Sequence, residues 1–454
     1  MKLPDTTDTI AAQATPPGAG ALAVIRLSGP EAFAAASSFL SPVPGDLGRR
    51  TARLLSILDG TTLVDRAVVV FFKGPGSYTG EDTVEISCHG SPYIIRTILN
   101  LAIRSGARPA EPGEFTLRAF LNGKLDLAQA EAVGELIEAG SAGAHRAAIS
   151  QIEGAVSARV SGIRTAIVDL LARLEARLDD TYEEIPALEL KNFAACAAAA
   201  RDQTLELAGG FKAGRGIKEG VRVVITGAPN SGKSSLLNAL LGYDRALVSR
   251  QAGTTRDTLE AELDVDGFSV IFTDTAGLNA RAVSRLEKEG MRRAEKAISR
   301  ADAIILVKDG SVPETPSDLR AEREIARLGA GAKLIRVLNK TDLPGKRKAG
   351  TALRVSAKAG RGLARLKSLL ITEQKKVFRD GSQAVVTSAR HYAALSAAAM
   401  ELERLETIMR RADPPLELAA EHLRGALTAL ASILGETAPE EVLAGIFANF
   451  CVGK

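Results

Sequence analysis

The stretch "GAPNSGKS" at 227–234 constrains this chain more than any other. It fits G-x-x-x-x-G-K-[ST] between the apolar run "GVRVVITG" and the helical pattern "SSLLNALLG", which is the strand–loop–helix setting the motif requires. Gly227 and Gly232 permit a tight loop whose backbone N–H groups point at phosphate, and the following helix adds the positive end of its dipole. Lys233 reaches the outer phosphates and Ser234 holds magnesium, with Asn230, Ser231 and Ser235 completing the wall of the loop. The octet predicts a P-loop nucleotide site on a doubly wound, mostly parallel α/β sheet.

Three later motifs fix the nucleotide. "DTAG" (Asp274, Thr275, Ala276, Gly277) follows the apolar run "FSVIF", so Asp274 stands at a strand end facing the magnesium shell and Gly277 offers its N–H to the γ-phosphate. "NKTD" follows "LIRVL" and carries Asn339, Lys340 and Asp342. A carboxylate there accepts two N–H bonds from guanine, which adenine cannot supply, so Asp342 selects GTP over ATP. "SAK" (Ser356, Ala357, Lys358) backs the base from the other side. One part is absent: where Ras-type GTPases carry the glutamine that orients the attacking water, this chain has Leu278, which has neither donor nor acceptor. Hydrolysis therefore needs a water-orienting group from elsewhere.

The remainder of the chain is organised around that domain. At 454 residues it exceeds a single core. Residues 1–118 mix strand-like runs ("ALAVIRL", "RAVVVFF", "DTVEISC") with turn signals and the helix "SPYIIRTILNLAIRSG", an α+β pattern. Residues 119–216 turn rich in Ala, Leu and Glu at helical spacing, residues 217–379 alternate strands and helices, and helical composition returns over 380–454. The expected architecture is a nucleotide domain inserted into a split helical domain that follows an N-terminal α+β domain.

Composition narrows the class further. With 46% hydrophobic and 25% charged residues the chain is ordinary for a water-soluble protein. No apolar run reaches the roughly 18 residues that cross a bilayer, and "MKLPDTTDTI" lacks the apolar stretch of a signal peptide, so a cytoplasmic location is expected. A net charge of +4 is that of a normally solvated surface and does not by itself indicate RNA. Cys88, Cys196 and Cys451 have no metal-ligand spacing. Cys88 and His89 are strand neighbours facing opposite ways, and Cys196 in "NFAACAAAA" is expected to pack within a helix.

The octet with Asn230, "AGTTRD" at 252–257, "RAFLNGKLDLAQAEA" at 118–132 and "FCVGK" at the end resemble the bacterial tRNA-modifying GTPase family MnmE, also called TrmE. The resemblance spans essentially the whole chain. It implies an N-terminal tetrahydrofolate-binding and dimerisation domain, a split helical domain and an inserted G domain. It also implies that potassium supplies positive charge beside the β- and γ-phosphates. Asn230 would coordinate that ion, backbone carbonyls of Ser249 and Gln251 would complete its shell with Thr254 beside it, and Thr255 would complete the magnesium site. An asparagine in such a loop otherwise satisfies local backbone groups.

For the water, the resemblance points to a glutamate ahead of a glycine, which "LEKEG" supplies as Glu287, with Glu289 the alternative because "LNARAVSR" is about one residue longer than the family's acidic segment. Two G domains meeting face to face on GTP and potassium would order that segment, so hydrolysis is expected to depend on a homodimer. Arg26, Glu85, Lys124 and Lys454 match the family's folate-contacting positions. Arg and Lys suit the glutamate tail of a folate, and Glu85 suits the amino edge of its pteridine. Cys451 either takes part in one-carbon transfer or is an ordinary apolar cysteine.

The function implied is addition of an aminomethyl or carboxymethylaminomethyl group to carbon 5 of the wobble uridine (U34) of certain tRNAs. The flavoprotein MnmG, carrying FAD, would be the partner in a heterotetramer, and a 5-formyl or 5,10-methylene folate would supply the carbon. A regulatory or ribosome-assembly switch that only binds RNA is the alternative, though the chain offers only "GSAG" at 140–143 as a weak RNA-binding signal. A GTP-gated folate transferase acting on small molecules is a third.

Overall fold

The computed structural model describes residues 4–43, 45, 50–178, 190–242, 260–273, 295–328, 331–345, 350–379, 384–411 and 414–454. They form two compact units: Met1–Gly134, Ile152–Ala200 and Met400–Lys454 make the first, and Glu135–Gln151 with Arg201–Ala399 the second.

The first unit is built on seven strands, β1 (Ile10–Gln13), β2 (Leu22–Ser28), β3 (Leu40–Ser41), β4 (Arg53–Asp59), β5 (Thr62–Phe72), β6 (Thr83–His89) and β7 (Arg108–Pro109), in the order β3-β4-β5-β6-β2-β1-β7. Every pairing is antiparallel except β1 with β7. Period-two alternation sorts the side chains: Ala23, Ile25 and Leu27 of β2 and Val84, Ile86 and Cys88 of β6 are buried, which turns the intervening Arg26 and Glu85 to the other face. Two helices, α1 (Ala32–Ser37) and α2 (Pro92–Arg104), supply Ala32, Ala35, Ala36, Ile95, Ile98, Leu101 and Ala102 to the same core. His89, as the alternation predicts, is exposed and bonds Asp65, whereas Cys88 is buried.

The predicted helices form, as α3 (Glu114–Leu121), α4 (Leu127–Glu138), α5 (Ala142–Ile152), α6 (Ala155–Leu178), α7 (Leu190–Gly209), α8 (Phe211–Glu219) and α9 (Lys233–Leu241), and, later in the chain, Ala389–Met409 and Leu416–Leu434. In α6 the buried residues Val156, Val160, Ile163, Ile167, Leu170 and Leu174 recur every three or four positions, a single apolar stripe. The same logic corrects one expectation. Cys196 is exposed, because the buried stripe of α7 runs through Phe193, Ala197, Ala200, Thr204 and Leu207, and one residue is a rotation of about 100° away from it. No helix among the described residues is long and apolar enough to cross a membrane.

The second unit is the doubly wound α/β layer. Six strands, β8 (Val221–Thr226), β9 (Glu260–Val265), β10 (Phe268–Thr273), β11 (Ala303–Asp309), β12 (Lys333–Asn339) and β13 (Leu353–Arg354), lie in the order β13-β12-β11-β8-β10-β9, all parallel except the edge strand β9. Continuous apolar runs mark the central strands because both faces are covered. In β11, Ile305 and Val307 join a cluster with Leu236 and Leu240 of α9 and Leu366 of the helix Leu363–Leu370, while Ile304 and Leu306 join Ile298 and Ile325 on the opposite face. Successive elements pass from β8 to β10 on one side and to β11 on the other. The crevice at the carboxyl ends of β8 and β11 is thus the topological switch point, where such sheets bind ligands.

Candidate active site

The phosphate loop connects β8 to α9 at that switch point. Gly227 adopts a φ of 147° and a Cβ there would strike the Val307 carbonyl oxygen, while Gly232, at a φ of 90°, caps α9 where a Cβ would strike the Asn339 amide. Both positions exclude any other residue, which is the physical content of the two motif glycines. Asn230 also lies in the left-handed region, at a φ of 59°, which Asn tolerates better than other side chains. No side chain caps α9, so its first N–H groups are left to a ligand.

Lys233 folds its ammonium back onto the carbonyl oxygens of Gly227 and Ala228, at 3.0 and 2.9 Å. Ser234 and Ser235 are exposed at the start of α9. Ser231 Oγ is buried without a hydrogen-bond partner among the described residues. An uncapped helix start, a lysine turned into the loop and an orphaned hydroxyl fit a bound polyphosphate with its magnesium.

The base-recognition loop is braced against this one. Asn339, buried at the end of β12, donates from Nδ2 to the Ser231 carbonyl at 3.2 Å, and its Oδ1 accepts the Ala357 N–H at 3.1 Å. A single amide thereby ties the phosphate loop, the "NKTD" loop and the "SAK" loop together. Asp342 is exposed, and one of its oxygens accepts the Ser356 hydroxyl at 2.6 Å; Ser356 in turn accepts the Ala359 N–H at 3.0 Å. The Ser356 hydroxyl, and then the backbone N–H of Asp342 itself, hold this carboxyl below its ordinary range. It remains an acceptor-only group, as selection of guanine's two N–H groups requires. Lys340 donates to the Asn230 carbonyl at 2.7 Å and Lys358 stands exposed beside the loop.

Several expected residues lie outside the described part of the structure: Ser249, Gln251, Thr254 and Thr255, Asp274 to Gly277 with Leu278, and Glu287 with Glu289. The sequence reading also passed over Asp309, which bonds Lys340. The sign available to it was the "KDG" turn at the end of an apolar strand.

A second group of polar residues gathers in the first unit. Arg26 and Glu85 are register partners on β2 and β6, and Arg26 donates from Nε and Nη2 to Glu85 Oε1 at 2.9 and 2.7 Å. The Arg26 guanidinium lies 5.6 Å from the ring centres of both Tyr78 and Phe115 and reaches the Gly453 carbonyl at 3.4 Å. Lys454 is close enough for burial, and then the Arg26 charge, to push its ammonium below the usual lysine range against the opposing pull of Glu85 and Cys451. The end segment is held by a bridge between Pro112 and Val452 and by the Gly113 N–H on the Cys451 carbonyl at 3.4 Å. Cys451 itself is exposed. Lys124 is not bonded into this set: it donates to the Pro75 carbonyl at 3.0 Å.

A largely parallel sheet with a phosphate loop at its switch point, and beside that loop the exposed carboxylate of "NKTD", define a P-loop GTPase domain within a larger chain. Residues 127–451 match the model of the MnmE helical domain, and residues 9–124 that of the GTP-binding protein TrmE N-terminus. The chain belongs to the MnmE (TrmE) family. It is 40% identical to the tRNA modification GTPase MnmE of Nitrosomonas eutropha over 455 residues, covering 98% of this chain and 99% of that one. It is 41% identical to the protein of the same name from Thermus thermophilus over 451 residues, covering 98% and 99%. Among solved structures, the G domain of the T. maritima FeoB iron transporter is 28% identical, covering 34% of this chain and 98% of that one with a TM-score of 0.27.

Proposed function

We propose that this chain hydrolyses GTP to drive or time a modification of tRNA. The observation that carries the hydrolase is the single amide of Asn339, which locks the phosphate loop to the loops bearing Asp342 and Ser356. Ser234 with Thr255 would hold Mg2+, which when bound neutralises phosphate charge. Lys233 and the start of α9 would bind the β- and γ-phosphates, Asp274 would reach the magnesium shell, and Gly277 would offer its N–H to the terminal phosphate.

Since Leu278 cannot orient water, Glu287 takes that part, with Glu289 next in line, and K+ would sit against Asn230, Ser249, Gln251 and Thr254. Ordering this segment would require two G domains to meet, so the active species is a homodimer. In the first unit Arg26, Glu85 and Lys454 would hold a tetrahydrofolate derivative, 5-formyl or 5,10-methylene, with Lys124 reaching its tail and Cys451 beside it. The bound folate would supply the carbon placed on C5 of U34. The FAD-bearing MnmG would be the partner in a heterotetramer, and the location is cytoplasmic. The domain limits that go with this reading are 1–118, 119–216, 217–379 and 380–454.

Two experiments test it. Purified chain should hydrolyse GTP at least tenfold faster in potassium than in sodium chloride of equal strength, and equal rates would remove potassium and the paired G domains from the account. Mass spectrometry of nucleosides from total tRNA, with and without the gene, should show loss of C5-modified uridine, restored by the intact chain and not by Glu287→Ala. An unchanged profile, in cells without a redundant enzyme, would favour an RNA-binding switch instead.

A further inference from the structure

Lys340 follows the buried Asn339 with its backbone in the left-handed region, at a φ of 60°. Its side chain leaves the base-recognition loop and crosses to the phosphate loop. Its Cε lies 3.8 Å from where a Cβ on Gly232 would stand, and its Nζ is 2.7 Å from the Asn230 carbonyl oxygen. A lysine stretched between two loops surrenders most of its rotamer freedom, so its far end needs a fixed partner. That partner is Asp309, whose Oδ2 lies 2.6 Å from Nζ.

The carboxylate is itself immobilised. Asp309 Oδ1 accepts the Ser311 N–H at 2.9 Å and the Ser311 hydroxyl at 2.7 Å, which leaves Oδ2 for the lysine. Asp309 ends β11 directly opposite Asn339 in the parallel register, and the Gly310 N–H bonds the Asn339 carbonyl at 2.8 Å. The edge that carries the base-recognition loop therefore also fixes the anion beside it. The pair is part-buried, with side chains 33% and 17% exposed, so its attraction is screened less than that of an open surface pair. At the other end of the lysine, Asn230 holds a left-handed backbone that a non-glycine residue adopts at a cost, and its carbonyl is secured by Nζ.

We propose that Asp309 is a positioning residue for guanine-nucleotide binding: it holds the Lys340 ammonium against the Asn230 carbonyl and so couples the base-recognition loop to the phosphate loop. A merely structural Asp309 would do no more than close the 309–311 turn through Oδ1. Asp309→Asn separates the two roles, because an asparagine keeps the Oδ1 acceptor for Ser311 while setting an amide donor against the ammonium.

The test is equilibrium titration of the full-length chain with a fluorescent GDP, in sodium buffer so that potassium plays no part. Wild-type affinity reports on the nucleotide reading, and the variants report on Asp309. Asp309→Asn should raise Kd about tenfold while leaving the melting temperature of the ligand-free chain unchanged. Paired with Lys340→Met, the double variant should bind no worse than the weaker single one, because both act through one contact. Asp309→Glu, which keeps the charge, should lose less than Asp309→Asn and serves as the second probe should the asparagine variant fold poorly. Wild-type affinity in Asp309→Asn, losses that multiply in the double variant, or equal losses in the Asn and Glu variants would each overturn the proposal.

Discussion

In the proposed function base choice would rest on one exposed carboxylate, Asp342, which Ser356 holds from one side. Replacing it by an amide exchanges an acceptor for a donor. Asp342→Asn should therefore weaken GTP binding by at least tenfold, about 1.4 kcal/mol, and shift preference toward a base with an acceptor at position 2. Competition of GTP and XTP against fluorescent GDP reads this directly, and an unchanged ranking would remove Asp342 from base recognition. Gly232 is the counterpart on the phosphate side. Gly232→Ala would drive a methyl into the Asn339 amide at a left-handed backbone position, so nucleotide binding should be lost by filter or fluorescence assay. These residues were legible because each motif obeys a local chemical rule. Asp309 was not: a "KDG" turn is common, and its meaning comes from Lys340, thirty-one positions further on and joined to it only by the parallel register of β11 and β12.

Periodicity made many elements readable in the sequence, but it passed over β1, β4, β9 and the helix Pro316–Leu328 and did not phase the stripe of α7. The 3.6-residue pattern pointed to α6 and helical composition to Leu416–Leu434, and apolar runs marked β8, β11 and β12 as strands covered on both faces. The order of strands in the sheet was not legible, since pairing partners are not written in any one strand. Cys196 shows the limit of composition: amid "AACAAAA" every position looks equally apolar, and only Phe193 and Leu207 reveal where the buried stripe runs. A test of packing follows for α6. Leu170 is buried between Ile167 and Leu174, so Leu170→Ala should cost about 3 kcal/mol in denaturant unfolding while leaving GDP affinity within twofold of wild type. Loss of GDP binding at native denaturant would show that α6 does more than pack.

Two compact units in one chain predict two unfolding transitions. A ligand stabilises only what binds it, so GDP at about 100 times its Kd should add about 2.7 kcal/mol to one transition and leave the other in place. A single transition that moves as a whole would show the units to be energetically one.

Acid should act on the first unit through Glu114. Burial pushes its carboxyl up, but bonds from Arg108, the Glu111 backbone and Arg118 outweigh this and leave it below the ordinary value. A carboxyl lowered in the folded state contributes stability above the ordinary glutamate range and loses it as pH falls through the lowered value. Stability of this unit should accordingly drop on acidification below about pH 4.5. Glu114→Gln should flatten that slope and cost about 3 kcal/mol at neutral pH, because the wholly buried Arg118 loses one of its carboxylates, and no more than that because it keeps Asp8 and Glu81. An unchanged slope would assign the acid sensitivity to other carboxyls.

The interleaving of the two units also sets an order of events during synthesis. Everything the second unit needs has been synthesised by residue 399, whereas the first unit still lacks the segment from Met400 onward. Until that segment emerges, the sheet formed early from β1 to β7 has no partner for Arg26 at Gly453 and no bridge between Pro112 and Val452. The nucleotide domain can therefore mature first, and the last residues of the chain close onto an amino-terminal sheet whose own core, Ala11 to Ala107, was made long before.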